Sequence, residues 1–102
     1  MDTIKRLPTH PGDVLKEELE SRKISQKKFS EILGISYTML NEILNGKRPV
    51  TSDFALMVEA ALGINAEVLV NMQTRYNMAF SRREGALANR LREIRKMCAS
   101  LL

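Results

Sequence analysis

Cysteine occurs once in this 102-residue chain, at Cys98, so no internal disulfide can form and packing alone must hold the fold. Glycine (5) and proline (3) are too sparse for a linker-dominated chain. No internal repeat, low-complexity tract or strand-like alternation of useful length is present. No apolar run approaches the ~20 residues of a membrane span. The opening MDTIKRLPTH lacks the apolar core of a secretory signal. With the lone thiol, these absences predict a cytoplasmic protein with no membrane partner. Histidine also occurs once, at His10, and is expected at the surface or at a helix entry. One His and one Cys give no metal-ligand spacing and no Cys–His nucleophilic pair, so no enzyme activity, cofactor, metal or small-molecule substrate is expected. Cys98 reads as a small apolar packing residue, and the six methionines as gap-fillers at core-like positions.

What is present is helical. Hydrophobic residues make up 44% of the chain, enough for a compact core. Pro11 can open a first helix that ends near Arg22, with a narrow stripe of Val14, Leu15 and Leu19. Ser25, Ser36, Thr51 and Asn65 are placed to cap four more, and Gly34, Gly46 and Gly63 to end three of them. The fourth, Ser52 to Leu62, is apolar on most sides and is expected at the centre of the domain. The fifth sets Val68, Leu69, Met72 and Tyr76 on one side and runs to about Arg83. Gly85 is a weak break. A last helix from Ala86 places Leu87, Leu91, Ile94, Cys98 and Leu101 at alternating steps of four and three, the spacing of a helix–helix seam. The expected fold is all-α, five or six helices, with a domain over residues 9–83 and a C-terminal helical extension over 84–102. That extension is expected to make a homodimer or to cover its own core.

Charge is unevenly placed. The net charge is +4, yet six of the sixteen basic residues and two of the twelve acidic ones lie from Arg82 onward, leaving ten of each in residues 1–81. A basic surface fits an anionic partner, although an ordinary solvated face is the plain alternative. Glu17, Glu18 and Glu20, which could be imagined as paired catalytic carboxylates, read instead as a solvated face or one turned to a basic protein.

The stretch SQKKFSEILGISYTMLNEI, Ser25 to Ile43, carries the functional signal. Phe29, Leu33, Ile35, Leu40 and Ile43 fall inward, Ser30 is the small residue where two helices cross, and Gly34 supplies the turn. That is the pattern of a helix-turn-helix. A plain helical hairpin would satisfy the apolar spacing too, but it would not need the outer face of the second helix. There Tyr37, Thr38, Asn41, Glu42 and Asn45 offer short hydrogen-bonding groups suited to base edges and phosphates. Ser36 and Tyr37 are expected on a phosphate at the helix N-terminus, Thr38 and Asn41 on base edges. Gln26 and Lys27, opening the supporting helix, are expected to hold the DNA backbone, and Lys47 and Arg48 to neutralise phosphates. Glu42 is expected in a salt bridge, with Lys28 as the favoured partner.

The segments THPGDVLKEELESRKISQKKF, GISYTMLNEILNGKRPVTSDFALMVEAALGI and VNMQTRYNM resemble the HigA (VapI-type) antitoxins of the lambda-repressor-like superfamily. The resemblance runs from about Thr9 to Asn77 and rests on HPG, NGKRP and NMQ together. It implies a dimer that represses its own operon by binding operator DNA and neutralises a small basic toxin, an mRNA-cleaving HigB-type ribonuclease. It places DNA contacts on Gln26, Ser36, Tyr37, Thr38 and Asn41. With the charge separation it makes Asp13, Glu17, Glu18 and Glu20 the expected toxin face. A stand-alone repressor without a toxin, or a protein-interaction adaptor on the same scaffold, are the alternatives.

Overall fold

The computed structural model describes residues 7–101 and arranges them in six α-helices: α1 Pro11–Ser21, α2 Gln26–Leu33, α3 Tyr37–Leu44, α4 Ser52–Leu62, α5 Ala66–Arg83 and α6 Gly85–Ala99. No strand occurs among the described residues. Residues 1–6, part of the stretch read for a signal, and Leu102 of the expected extension lie outside the described residues. No described helix is long and apolar enough to cross a membrane.

The helix starts follow from side chains that accept otherwise unbonded backbone N–H groups. Ser25 accepts from Lys28, Ser36 from Met39, Thr51 from Phe54 and Asn65 from Val68. Each such cap contributes about 1 kcal/mol. The start of α1 follows expectation, with a cap that the sequence had not singled out. Pro11 opens it, and His10 is its cap: Nδ1 accepts the Gly12 amide at 2.9 Å, and the ring is only 4% exposed. His10 is thus a helix-entry residue and not a surface one, because the Tyr76 ring stands edge-on to it at 4.9 Å.

The core joins Leu15 and Leu19 of α1, Phe29 of α2, Leu40, Ile43 and Leu44 of α3, Phe54, Ala55 and Val58 of α4, and Leu69 of α5. Full burial of each such Leu or Phe is worth about 1.5–3 kcal/mol. α1 lies very close to the end of α3, and Gly12 makes that possible: a Cβ there would collide with the Ile43 carbonyl oxygen. Two helices are less buried than their composition predicts. α4 buries only Phe54, Ala55 and Val58, while Leu56 is exposed on its outer side. α5 buries Ala66, Leu69 and Gln73, and Val68 faces outward, because the helix rests on α4 and α1 along one edge.

α6 has no buried residue. Glu84, extended at ψ 115°, makes the break between α5 and α6, so the interruption sits one residue before the expected Gly85. The radius of gyration is 17.5 Å and the longest extent 56 Å, against about 13 Å for a compact chain of 100 residues. α6 therefore projects from the body. Cys98 lies on it and is exposed, as are Met78 and Met97, so these three are not the packing residues that their chemistry suggested.

Candidate nucleic-acid interface

α2 and α3 meet at a turn whose centre is Gly34, at φ 70° and ψ 31°. A side chain there would be strained in the left-handed region, which is why glycine serves. Phe29, Leu40 and Ile43 are fully buried, and Leu33 and Ile35 partly so. Ser30 sits buried at the crossing, and its hydroxyl donates back to the Lys27 carbonyl at 2.7 Å. The polar group is thereby satisfied within its own helix, so a serine fits a position where only a small side chain does.

With its inner side buried, α3 presents Tyr37 and Thr38 to solvent and Asn41 and Glu42 at the edge of burial. Tyr37 is 51% exposed. The Ser36 oxygen is occupied as an acceptor by the Met39 amide, which leaves its O–H free to donate outward. Asn41 Nδ2 donates to Gln26 Oε1 at 2.9 Å, so the start of α2 and the middle of α3 are held in register. That bond uses one of the four hydrogen-bonding positions of the Asn41 amide. A second N–H and the Oδ1 remain, enough for bidentate pairing. On the other flank Asn45 accepts from Lys16 Nζ at 3.2 Å and donates to the Asn41 carbonyl at 2.8 Å, which ties α1 to the end of α3.

Glu42 is paired, but not with Lys28. Its Oε1 accepts from Arg48 Nη2 at 2.8 Å and Nε at 3.1 Å. The loop 45–50 folds back over the end of α3 and brings Arg48 within reach, a closure that helix periodicity could not reveal. Arg48 is therefore a partly neutralised cation, whereas Lys47 is exposed and has no ion-pair partner among the described residues. Lys27 is exposed on α2.

The loop is anchored from behind by α5. Gln73, 5% exposed, accepts the Val50 amide on Oε1 at 2.8 Å and donates from Nε2 to Asn77 at 2.9 Å. Gly46 lies against the His10 ring, to which Tyr76 stands edge-on. Residues 10, 46, 73 and 76 are distant in sequence and adjacent in space. Together they fix the loop that carries Lys47 and Arg48. Sequence spacing hinted at none of this, apart from one polar glutamine on the buried side of α5.

The helix-turn-helix family model matches residues 15–69 of the chain. Virulence-associated protein I of Dichelobacter nodosus is 33% identical over 76 residues, 74% of this chain and 70% of that protein. The solved structure of an addiction module antidote protein of the HigA family from Coxiella burnetii is 33% identical, with a TM-score of 0.69 over 76% of this chain and 86% of that one. This chain belongs to the HigA-type, VapI-like helix-turn-helix family. The Pseudomonas aeruginosa antitoxin HigA, solved with the higBA promoter, is 26% identical with a TM-score of 0.72, covering 82% of this chain and 90% of that one. The fold of this HigA-type chain is accordingly lambda-repressor-like, as the sequence resemblance implied.

The acidic residues of α1 divide in this HigA-type chain. Asp13, Glu17 and Glu20 are exposed and, at steps of four and three, share one face. Glu18 lies on another and pairs with Arg22 at 3.0 Å. Along α6, Leu87, Ile94, Cys98 and Leu101 are exposed and Leu91 is half-buried.

Proposed function

We propose that the protein is a dimeric autorepressor and antitoxin. Its α3 helices enter successive major grooves of a palindromic operator, ~34 Å apart, and a second surface holds a small basic toxin, an mRNA-cleaving ribonuclease of HigB type. The observation that carries the DNA reading is the outward row of exposed Tyr37 and Thr38 and half-buried Asn41 on a helix whose opposite side is fully buried. Tyr37 and the Ser36 hydroxyl bind phosphate at the N-terminus of α3, where the helix dipole favours an anion. Thr38 and Asn41 read base edges, Gln26 orients Asn41, and Lys27 and Lys47 neutralise phosphates.

The likeness to an antitoxin solved on its own promoter supports this role. Dimerisation is assigned to α6, as an extension distinct from the DNA-binding domain, through the seam Leu87, Leu91, Ile94, Cys98 and Leu101. The toxin surface is assigned to Asp13, Glu17 and Glu20, whose carboxylates have no ion-pair partner among the described residues and steer a cationic partner. Glu18 contributes less because Arg22 already meets it. The place of action is the cytoplasm, where operator and messenger both lie.

The experiment is a shift assay of the full chain on its own promoter, with and without the product of the adjoining small basic reading frame. Operator binding with stable capture of that product supports the proposal. Binding without capture leaves a stand-alone repressor, and capture without DNA binding leaves an adaptor.

A further inference from the structure

The reading helix is not where the positive charge is. Residues 1–81 hold ten basic and ten acidic groups, and within the interface Arg48 is drawn to Glu42. The six basic residues from Arg82 onward face two acidic ones, and all six are exposed. A duplex carries one negative charge per ~1.7 Å of its axis, and affinity follows the number of phosphates neutralised. A neutral body whose interface offers Lys27 and Lys47 as its exposed cations draws modestly on that term.

The end of α5 lies beside the interface. Lys47, Arg48 and Gly46 border one shallow depression with Tyr76 and Asn77, and Gly46, Tyr76, Asn77, Phe80 and Ser81 border the next. The Tyr76 and Phe80 rings stack at 6.3 Å along this ground. Arg82 and Arg83 follow directly on Ser81. At 100° per residue Arg83 falls within about 20° of Tyr76 and Arg82 on the far side of α5, so the ground that borders the phosphate-facing loop leads on to Arg83.

We propose that the basic end of α5 and the outer face of α6 form a second DNA contact, an arm that neutralises phosphates adjoining those met by the helix-turn-helix. It adds affinity without reading sequence. The inference rests on the DNA-binding reading above. At 100° per residue, Arg92 and Lys96 lie opposite the stripe of Leu87, Leu91 and Ile94, so they stay free when that stripe is covered. DNA is favoured over an acidic protein because the arm continues a surface that already holds Lys47 at the reading helix.

The test is the full-length chain with Arg82→Gln, Arg83→Gln, Arg92→Gln and Lys96→Gln, beside a companion with lysine at the three arginine positions. Affinity is measured against salt on operator and on random duplex. The glutamine variant is expected to lower the magnitude of the log-affinity slope by about 0.9 for each phosphate that it no longer neutralises. It is also expected to keep the operator-over-random ratio within about twofold and to lose ethylation interference at the adjoining phosphates. The lysine companion is expected to keep the wild-type slope. An unchanged slope in the glutamine variant, with Lys47→Ala lowering it, overturns the arm and leaves the operator reading standing. Equal loss in the lysine companion also overturns it. Wild-type protein that binds neither duplex removes the operator reading and the arm together.

Discussion

Asn41 donates its side-chain amide to Gln26 Oε1 at 2.9 Å, so the base-reading candidate on α3 is held by the first residue of α2. Removing either member frees the other to rotate. Asn41→Ala is expected to weaken operator binding by about 1–3 kcal/mol and to leave random-DNA binding nearly unchanged. Gln26→Ala should weaken it less, and the double variant should fall short of the sum by about 0.5 kcal/mol or more, because the two act as one unit. Anisotropy titrations on both duplexes decide it, and strict additivity would separate the two roles.

The Glu42–Arg48 pair reverses the sign of one substitution. Glu42→Gln removes a carboxylate next to the duplex and releases Arg48, so affinity should rise and the salt slope steepen by up to about one unit per protomer. Lys47→Ala should flatten the slope by about the same amount, and Arg48→Ala by less. Equal effects of Lys47→Ala and Arg48→Ala would mean that the pair opens on DNA.

Gly12→Ala places a methyl on the Ile43 carbonyl, which is backbone and cannot swing aside, and against Nδ1 of the His10 cap. A loss of about 1–3 kcal/mol in urea unfolding is expected. Gln73→Leu leaves the buried Val50 amide without an acceptor and should cost a similar ~1–3 kcal/mol. A neutral outcome for Gln73→Leu would place water or another group on that amide.

Burial pushes the His10 pKa below its ordinary 6.5, against a smaller opposing pull from Asp13. The unfolded chain then takes up the proton first. The contribution of His10 to stability is complete above about pH 6.5 and is lost as pH falls below it through the lowered folded value. His10→Asn, which keeps a capping side chain without a titrating ring, is expected to show a smaller loss of urea midpoint between pH 7.5 and pH 5.5. Parallel curves for the two proteins would assign the decline to other groups.

The α6 stripe is narrow: Leu87, Leu91, Ile94, Cys98 and Leu101 span about 80° at 100° per residue. A stripe that narrow matches a coiled-coil seam better than a face lying on a broad core. Leu91→Asp, and separately truncation after Gly85, should convert the proposed dimer to a monomer in sedimentation while the helical signal of the body persists. A truncated chain that stays dimeric would move the interface to α5 near Met72 and Tyr76.

The sequence by itself determined the helices, the caps and the helix-turn-helix, because these depend on neighbours three or four residues apart. Ser25, Ser36, Thr51 and Asn65 announce their helices, Gly34 announces the turn, and each acts within one turn of chain. The outward row on α3 was legible for the same reason: periodicity alone separates its inner residues from its outer ones. Tertiary structure decided what depends on loops and on distant partners. It gave Glu42 to Arg48 instead of Lys28, buried His10 beneath Tyr76, and set Gln73 on the Val50 amide. It also left Val68, Leu56 and Cys98 outside the core, because apolar character says that a side chain gains from burial but not whether a neighbour stands there to bury it.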